Sequence, residues 1–283
     1  DFVIHTMTPD YFNESKQGET EEEFSNRCAN ELEKTILKEG AETIAAFFAE
    51  PVMGAGGVII PPKLYFKKIQ AILRKYDILM VADEVICGFG RTGEMWGSET
   101  FNIKPDIITA AKALSSAYLP ISAVLLSDKI YKNVESQANE LGIFGHGYTY
   151  SAHPVCAAVA LKTQYLMKER NVLGNVKQLA PIFNSRINNL EKENWFIGHS
   201  RSVGLIGAIE FCYENNKKFD LSKKIAAQAN KIIQSKGVIL RALPGDIIGF
   251  CPPLIISEEQ INEMFDIIEA SMGKIEILAS QSI

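Results

Sequence analysis

The 283-residue sequence lacks the features of several protein classes. Its net charge is −5, with no basic excess, which disfavours nucleic-acid binding because such proteins present a basic face. No apolar run reaches the roughly 18 residues of a membrane span, so none is expected. The start, DFVIHTMTPDYF, has neither the basic nor the apolar region of a secretory signal peptide. We therefore expect no nucleic-acid partner and no membrane partner.

Cysteine and histidine are both scarce. The five cysteines lie far apart, and the four histidines form no H-E-x-x-H pair. This spacing does not match a metal site, so no metal is expected. An odd, scattered set of cysteines is typical of reduced thiols, which predicts a cytoplasmic protein. The hydrophobic content of 47% is ample for a core.

The stretch from Ile78 to Ser116 carries the most informative residues. An apolar strand runs into Asp83 and Glu84, and Lys112 follows the next apolar run, DIITAA. This arrangement is typical of an enzyme that uses pyridoxal 5′-phosphate (PLP). The lysine forms a Schiff base with the cofactor, and the acid keeps a proton on the pyridine nitrogen. We also expect Lys112 to be buried among small apolar neighbours, because burial favours the neutral, nucleophilic amine.

Two other enzyme classes share parts of this pattern. A strand ending in Asp-Glu also occurs in P-loop ATPases, but the sequence contains no G-x-x-x-x-G-K-[ST] loop. Gly88, Gly90 and Gly93 form a G-x-G-x-x-G, which is typical of dinucleotide sites. The residues that follow, EMWGSETFNIKP, show no helical apolar period, and two acids at the strand end would repel a pyrophosphate. Both readings are therefore set aside.

Four motifs resemble the class III aminotransferases. They are VADEVICGFGRTG, AKALSSAYLPISAV, HGYTYSAHPVCAAVAL and RALPGDIIGFCPPLII, in that order. The resemblance runs from about Phe47 to about Phe265 and is strongest to the branch that moves amines to pyruvate. It implies the fold type I architecture of PLP-dependent enzymes, PLP as cofactor, small amine and keto-acid substrates, and a homodimer with a shared active site.

The resemblance also implies roles for the residues around the cofactor ring. Lys112 would be the catalytic lysine, and Asp83 would bind the pyridine nitrogen. Val85, two residues on, should point to the same side of the strand as Asp83, because side chains alternate along a strand, and by the resemblance it would pack against the ring. Glu50, in AEPVMGAGG, would support the hydrogen bonds around the ring. Without the resemblance, the same residues read as a solvated lysine, an N-capping aspartate, a core valine and a loop acid.

Three further residues would bind the charged groups of the cofactor and the substrate. Thr149 would hold the cofactor phosphate from the other subunit, with Tyr148 lining the same pocket. Arg241, in RALPGD, would pair with the substrate carboxylate, which a guanidinium binds in a bidentate manner. Some relatives have one residue fewer between this arginine and the Gly-Asp. Alone, Thr149 also reads as an N-cap and Arg241 as a surface arginine.

The reaction favoured by these residues is transamination from an amine or omega-amino acid to pyruvate or a similar keto acid. Two alternatives stay open. One is another PLP reaction, a decarboxylation or an aminomutase shift, which Arg241 disfavours. The other is a truncated, catalytically weak paralogue that serves as a binding or scaffold chain. Relative to the family, we expect an amino-terminal part to be absent, including the stretch that cups the cofactor phosphate.

Alternating strands and helices predict an α/β fold with a mostly parallel central sheet and helices on both faces. We expect part of a large PLP-binding domain in residues 1–170 and a small α+β domain in residues 171–283. The expected helices are 20–40, with a capping box at Thr20-Glu23, then 62–76 with Leu64 inward, 154–168, 171–193, 221–236 and 257–272. The expected strands are 43–49, 78–82, 107–109, 121–126, 203–211, 238–241 and 247–251. Ser127-Asp128 should cap another helix.

Overall fold

A computed structural model describes residues 2–214 and 217–283 of the chain. These residues form two compact units. The described residues within Asp1–Pro51, Pro61–Phe89 and Trp96–Arg170 form the first unit, and those within Val52–Ile60, Gly90–Met95 and Asn171–Ile283 form the second. The chain therefore passes from the first unit to the second between Arg170 and Asn171. Two short segments from the first half of the chain also belong to the second unit. None of the described helices has the length and apolar character needed to cross a membrane.

The first unit is built around a mixed four-stranded sheet. Its helices are α1 Tyr11–Glu14, α2 Glu21–Glu39, α3 Tyr65–Lys75, α4 Gly97–Thr100, α5 Asp128–Leu141 and α6 Pro154–Glu169. Its strands are β1 Ala46–Ala49, β2 Leu79–Asp83, β3 Ile107–Ala110 and β4 Ala123–Leu126. The strand order is β1-β2-β3-β4. The first three strands run parallel, and β4 runs antiparallel to β3.

The α2 helix begins and ends where the sequence predicts. Thr20 and Glu23 form the capping box, and the Gly40 N–H closes the carboxyl end on the Ile36 carbonyl. Its buried face packs on α3, and α3 in turn packs on β2. The buried side chains of this core are Phe24, Cys28, Ala29, Leu32, Ile36, Tyr65, Phe66, Ile69, Leu73, Ile78, Met80 and Ile103. On the sheet, Phe48 is 69% exposed.

The second unit pairs an antiparallel sheet with long helices. Its helices are α7 Val172–Glu193, α8 Ile225–Gln234 and α9 Glu258–Ser280. Its strands are β5 Ile197–Val203, β6 Ile206–Tyr213, β7 Lys217–Lys218, β8 Arg241–Leu243 and β9 Ile247–Phe250. The order is β5-β6-β9-β8, with β7 paired to β6. Its core includes Phe183, Phe196, Phe211, Phe250 and Phe265.

Several element boundaries differ from the sequence expectations. The strand predicted at 43–49 begins at Ala46, because residues Ala41–Thr43 form a 3₁₀ turn after α2. The strand β5 was not predicted at all. The helix predicted at 221–236 begins at Ile225, after a short 3₁₀ turn, and α9 continues past Met272 to Ser280. Ser127 precedes α5 as expected, but its side chain makes no capping bond.

Candidate active site

Asp83 is the last residue of β2, at the carboxyl end of the parallel strands. It pairs in register with Thr109 of β3. Its Oδ1 accepts a hydrogen bond from the Val85 backbone N–H at 3.0 Å, which fixes the orientation of the carboxylate. The side chain is partly exposed, and no donor among the described residues reaches Oδ2. The second oxygen can therefore accept a bond from a ligand.

Val85 lies beyond the end of the strand, so strand alternation does not determine the direction of its side chain. The strand β2 ends at Asp83, and Val85 lies in the turn that follows. Its N–H bond to the Asp83 carboxylate closes the local turn that aspartate favours. The argument from alternation is therefore wrong for Val85. Its contact with a cofactor ring stays a prediction, which its partial burial allows.

Lys112 begins a 3₁₀ helix, Lys112–Ser115, two residues after the last residue of β3. Its backbone φ is 43°, a left-handed conformation that costs a non-glycine residue about 1–3 kcal/mol. The side chain is exposed, and its amine has no hydrogen bond or ion pair with the described part of the chain. The expected burial is therefore wrong. The small neighbours Ala111 and Ala113 lie beside Lys112 without enclosing it.

Three polar residues lie at the carboxyl ends of three neighbouring parallel strands. Glu50 comes directly after β1, whose Ala49 pairs with Ala82, the residue before Asp83. Lys112 lies two residues beyond Ala110, the last residue of β3. Since the carboxyl ends of parallel strands share one edge of a sheet, Glu50, Asp83 and Lys112 belong to the same edge. This edge is where ligands bind in open α/β sheets.

Tyr148 and Thr149 lie in the exposed segment between α5 and α6. The Tyr148 N–H donates to Ser151 Oγ at 3.1 Å, and the Tyr148 ring stacks edge-on against His146 at 5.5 Å. The residue that precedes α6 is His153, so Thr149 is not the N-cap of that helix. The described contacts of Tyr148 lie within its own segment, and phosphate binding by either residue stays a prediction.

Arg241 belongs to the second unit. It is the first residue of β8 and pairs in register with Gly249 of β9. The side chain is exposed, and its guanidinium makes no hydrogen bond or ion pair with any described residue. Such a guanidinium can bind a carboxylate without first breaking another contact.

Glu84 is a buried acid to which the sequence analysis gave no role. Its side chain is 0% exposed. It accepts hydrogen bonds from the Gly97 N–H at 2.8 Å and from the Ser98 N–H and hydroxyl, both at 2.6 Å. Burial raises the pKa of this carboxyl, while the three bonds act to lower it. Glu84 thus joins the end of β2 to α4. Its partners Gly97 and Ser98 lie 13 and 14 residues later in the chain, so no local sequence pattern predicts these bonds.

The polar groups at this edge are the Lys112 amine and the carboxylates of Asp83 and Glu50. Within residues 2–214 and 217–283, no three histidine, cysteine, aspartate or glutamate side chains are grouped so as to hold a metal ion. No helix of normal length follows Gly93 either. The segment after it turns, and the next helix, α4, has four residues.

Comparison with known proteins gives a consistent result. A family model described as aminotransferase class-III matches residues 3–272. Gamma aminobutyrate transaminase 3, chloroplastic, of Solanum lycopersicum is 51% identical over 93% of this chain. That match covers 51% of the plant protein, so the chain spans about half the length of the curated relatives it matches.

Solved structures match the fold over almost the whole chain. A PMP-bound form of an aminotransferase from Vibrio fluvialis superimposes with a TM-score of 0.93 at 43% identity, over 96% of this chain and 60% of that chain. An omega-aminotransferase from Paracoccus denitrificans also gives a TM-score of 0.93 at 43% identity, over 96% of this chain and 61% of that chain.

Proposed function

Because the chain belongs to the class III aminotransferase family, we propose that the protein transfers an amino group from an amine or omega-amino acid to pyruvate or a similar keto acid. One observation carries the proposal. An unpaired carboxylate oxygen of Asp83 and an unpaired amine of Lys112 follow neighbouring parallel strands at one sheet edge.

The residues at this edge fit PLP, the cofactor of class III aminotransferases. Asp83 Oδ2 lacks a protein donor, and a protonated pyridine nitrogen would supply one. Lys112 offers a free amine to an aldehyde. Val85 would pack on the ring, Glu50 would support the surrounding hydrogen bonds, and Thr149 with Tyr148 would bind the phosphate. When bound, the cofactor withdraws electrons from the substrate carbon that carries the amino group.

Two residues of the protein, Asp83 and Lys112, would take part in the reaction directly. Asp83 would keep a proton at the pyridine nitrogen, since a nearby negative charge favours the protonated base. The Lys112 amine would hold the cofactor. Lys112 Nζ would also take the proton from the substrate carbon and return one, as a general base and acid. The exposure of Lys112 leaves its amine accessible to an incoming substrate.

Arg241 supplies recognition of the carboxylate. Its guanidinium presents a planar pair of donors that matches a carboxylate, and no described residue competes for them. Pyruvate and omega-amino acids carry such a group, whereas a simple amine does not. Binding at Arg241 therefore favours keto-acid acceptors and carboxylate-bearing donors.

The name of the tomato relative supports 4-aminobutyrate as the amino donor. This compound is an omega-amino acid, in agreement with the substrate class that the sequence motifs imply. The omega-aminotransferase from Paracoccus denitrificans supports the broader class of amines.

A homodimer with a shared site is part of the same proposal. The segment 141–155 is exposed along its whole length and includes Tyr148 and Tyr150, at 77% and 81% exposure. A second subunit covering this segment would bury those rings and bring Thr149 to the partner's cofactor. A cytoplasmic location is supported by the scattered thiols, although the tomato relative is named chloroplastic.

A panel of donors with pyruvate tests the function. The chain is mixed with PLP, pyruvate and one donor at a time, and alanine formation is measured. We expect 4-aminobutyrate to give alanine and the Lys112→Ala variant to give none. Alanine formation that survives in Lys112→Ala would contradict the proposal, and so would its absence with every donor in a preparation that binds PLP.

A further inference from the structure

The turn that carries Lys112 is strained. Lys112, Ser116 and Ala117 all have positive φ, at 43°, 50° and 59°. L-residues rarely adopt this conformation, and such residues persist only where the surroundings hold them. The turn closes on itself through the Ala117 N–H, which donates to the Lys112 carbonyl at 3.0 Å, and through Ser115 Oγ, which donates to the Leu119 carbonyl at 2.7 Å.

One side chain from another element also holds this turn. Gln164 lies in α6, and its Nε2 donates to the Leu114 carbonyl at 2.9 Å and lies 3.5 Å from the Ala113 carbonyl. These are the two residues directly after Lys112. The amide therefore fastens the backbone that follows the lysine to a helix of the same unit.

The other end of the Gln164 amide has no partner. Gln164 Oε1 is buried, and no described residue donates to it. An unsatisfied buried acceptor destabilises a fold, which offsets part of the stability that the bonds from Gln164 Nε2 contribute. The contribution of the amide therefore lies in the conformation of the turn that it holds.

We propose that Gln164 is a positioning residue for Lys112. By holding the Ala113 and Leu114 carbonyls, its amide keeps the strained turn in the one conformation that presents the Lys112 amine at the sheet edge beside Asp83. This inference rests on the proposed function, in which Lys112 is the reacting amine. The effect is one of orientation, because a reacting group held in place meets its partner at a higher effective concentration.

The test compares two variants that cannot donate to the turn. Gln164→Met is close in length and apolar, and Gln164→Glu is isosteric but presents only acceptors. Gln234→Met and Gln234→Glu are matched controls on α8 of the second unit, where the glutamine is exposed. The chain is incubated with PLP and reduced with borohydride at increasing times. Peptide mass spectrometry then gives the labelling rate at Lys112 and, as an internal reference, at the exposed Lys104.

We expect both Gln164 variants to label Lys112 about three- to ten-fold more slowly, the effect of losing one hydrogen bond. Labelling of Lys104 should not change. A purely structural role would instead leave the ratio of Lys112 to Lys104 labelling constant, whatever the change in melting temperature. That result, or unchanged Lys112 labelling in both variants, would overturn the positioning role alone. No preference for Lys112 in the unmodified chain would overturn the proposed function instead.

Discussion

Glu84 and Ser98 are joined by two short hydrogen bonds. Glu84 Oε1 accepts both the backbone N–H and the hydroxyl of Ser98, each at 2.6 Å, inside a site with almost no solvent. Asp83 and Val85, both proposed to contact the cofactor, are the residues on either side of Glu84. The pair therefore fixes the backbone from which those two side chains project.

Removing the Ser98 hydroxyl tests the strength of this anchor. Ser98→Ala leaves the backbone donors in place and takes away one bond to a buried charged group, which should lower the free energy of unfolding by about 1.5–3 kcal/mol. Urea unfolding measures the change. Ser136→Ala, at an exposed position of α5, should change it by less than about 0.5 kcal/mol. Equal effects of the two substitutions would mean that Glu84 does not hold the turn.

Asp246 offers a test by pH. Its Oδ1 accepts the Ala226 N–H at the start of α8, while Oδ2 is buried without a partner in the described structure. Burial raises the pKa of this carboxyl above its ordinary value of 3.8. Between that value and the raised pKa the folded chain binds more protons than the unfolded chain, so the contribution of Asp246 to stability falls as pH rises.

Asp246→Asn should remove this pH dependence. Asparagine keeps the capping oxygen and tolerates the φ of 54°, but it cannot ionise. Relative to the unmodified chain, the variant should gain unfolding free energy as pH rises from about 4 and level off above the raised pKa. Urea unfolding from pH 4 to 7 measures the difference. A difference that stays constant over this range would show that Asp246 does not titrate in it.

Asp83→Asn should leave the fold intact and cripple transamination. The asparagine oxygen can still accept the Val85 N–H, so the local turn is kept. A nearby carboxylate shifts a pKa by about 1–3 units, so its loss should reduce turnover about ten- to a thousand-fold. Asp77→Asn removes an exposed acid just before β2 and should have no such effect. Near-normal turnover in Asp83→Asn would argue against the pairing with the pyridine nitrogen.

Arg241→Ala should weaken the use of keto acids more than the use of amines. A charge-assisted hydrogen bond is worth about 1.5–3 kcal/mol, so kcat/KM for pyruvate should fall roughly ten- to a hundred-fold. A donor without a carboxylate, assayed in its own half-reaction, should lose little. Arg74→Ala, an exposed position on α3, is the control. Equal losses for both kinds of substrate would assign Arg241 a structural role.

Elements specified by local signals were predictable from the sequence. The capping box at Thr20, the apolar period of α2 and the stop at Gly40 lie within one stretch of chain, and the structure reproduces them. The placement of Asp83 and Lys112 after neighbouring strands was predictable for a similar reason. Each follows a short apolar run, and the helices between such runs make the strands parallel.

Features that depend on distant partners were not predictable. The strand β5 contains His199, Ser200 and Arg201. Three consecutive polar residues do not show the apolar alternation that predicts a strand. The strand is stabilised because the buried Arg201 pairs with Glu210 of β6 at 2.7 Å. Leu64 was expected inside, but it adopts a left-handed conformation before α3 and is exposed, while Phe66 takes the buried position.

The candidate site shows the same division. The residue types and their order indicated a PLP site, but the exposure of Lys112 could not be read from its alanine-rich neighbours. Burial depends on which elements cover a turn, and the sequence around Lys112 does not specify them. The contact of Gln164 with Leu114, 50 residues earlier in the chain, gave no local signal either.

Reductive labelling of the lysines tests the central claim most directly. The chain is mixed with PLP, reduced with borohydride and digested, and the peptide that carries the pyridoxyl group is identified by mass spectrometry. Lys112 has a free amine at the same sheet edge as Asp83. The label should therefore be found on Lys112 and should be lost from that peptide in Lys112→Ala. Preferential labelling of any other lysine, with Lys112 unmodified, would contradict the assignment of this site.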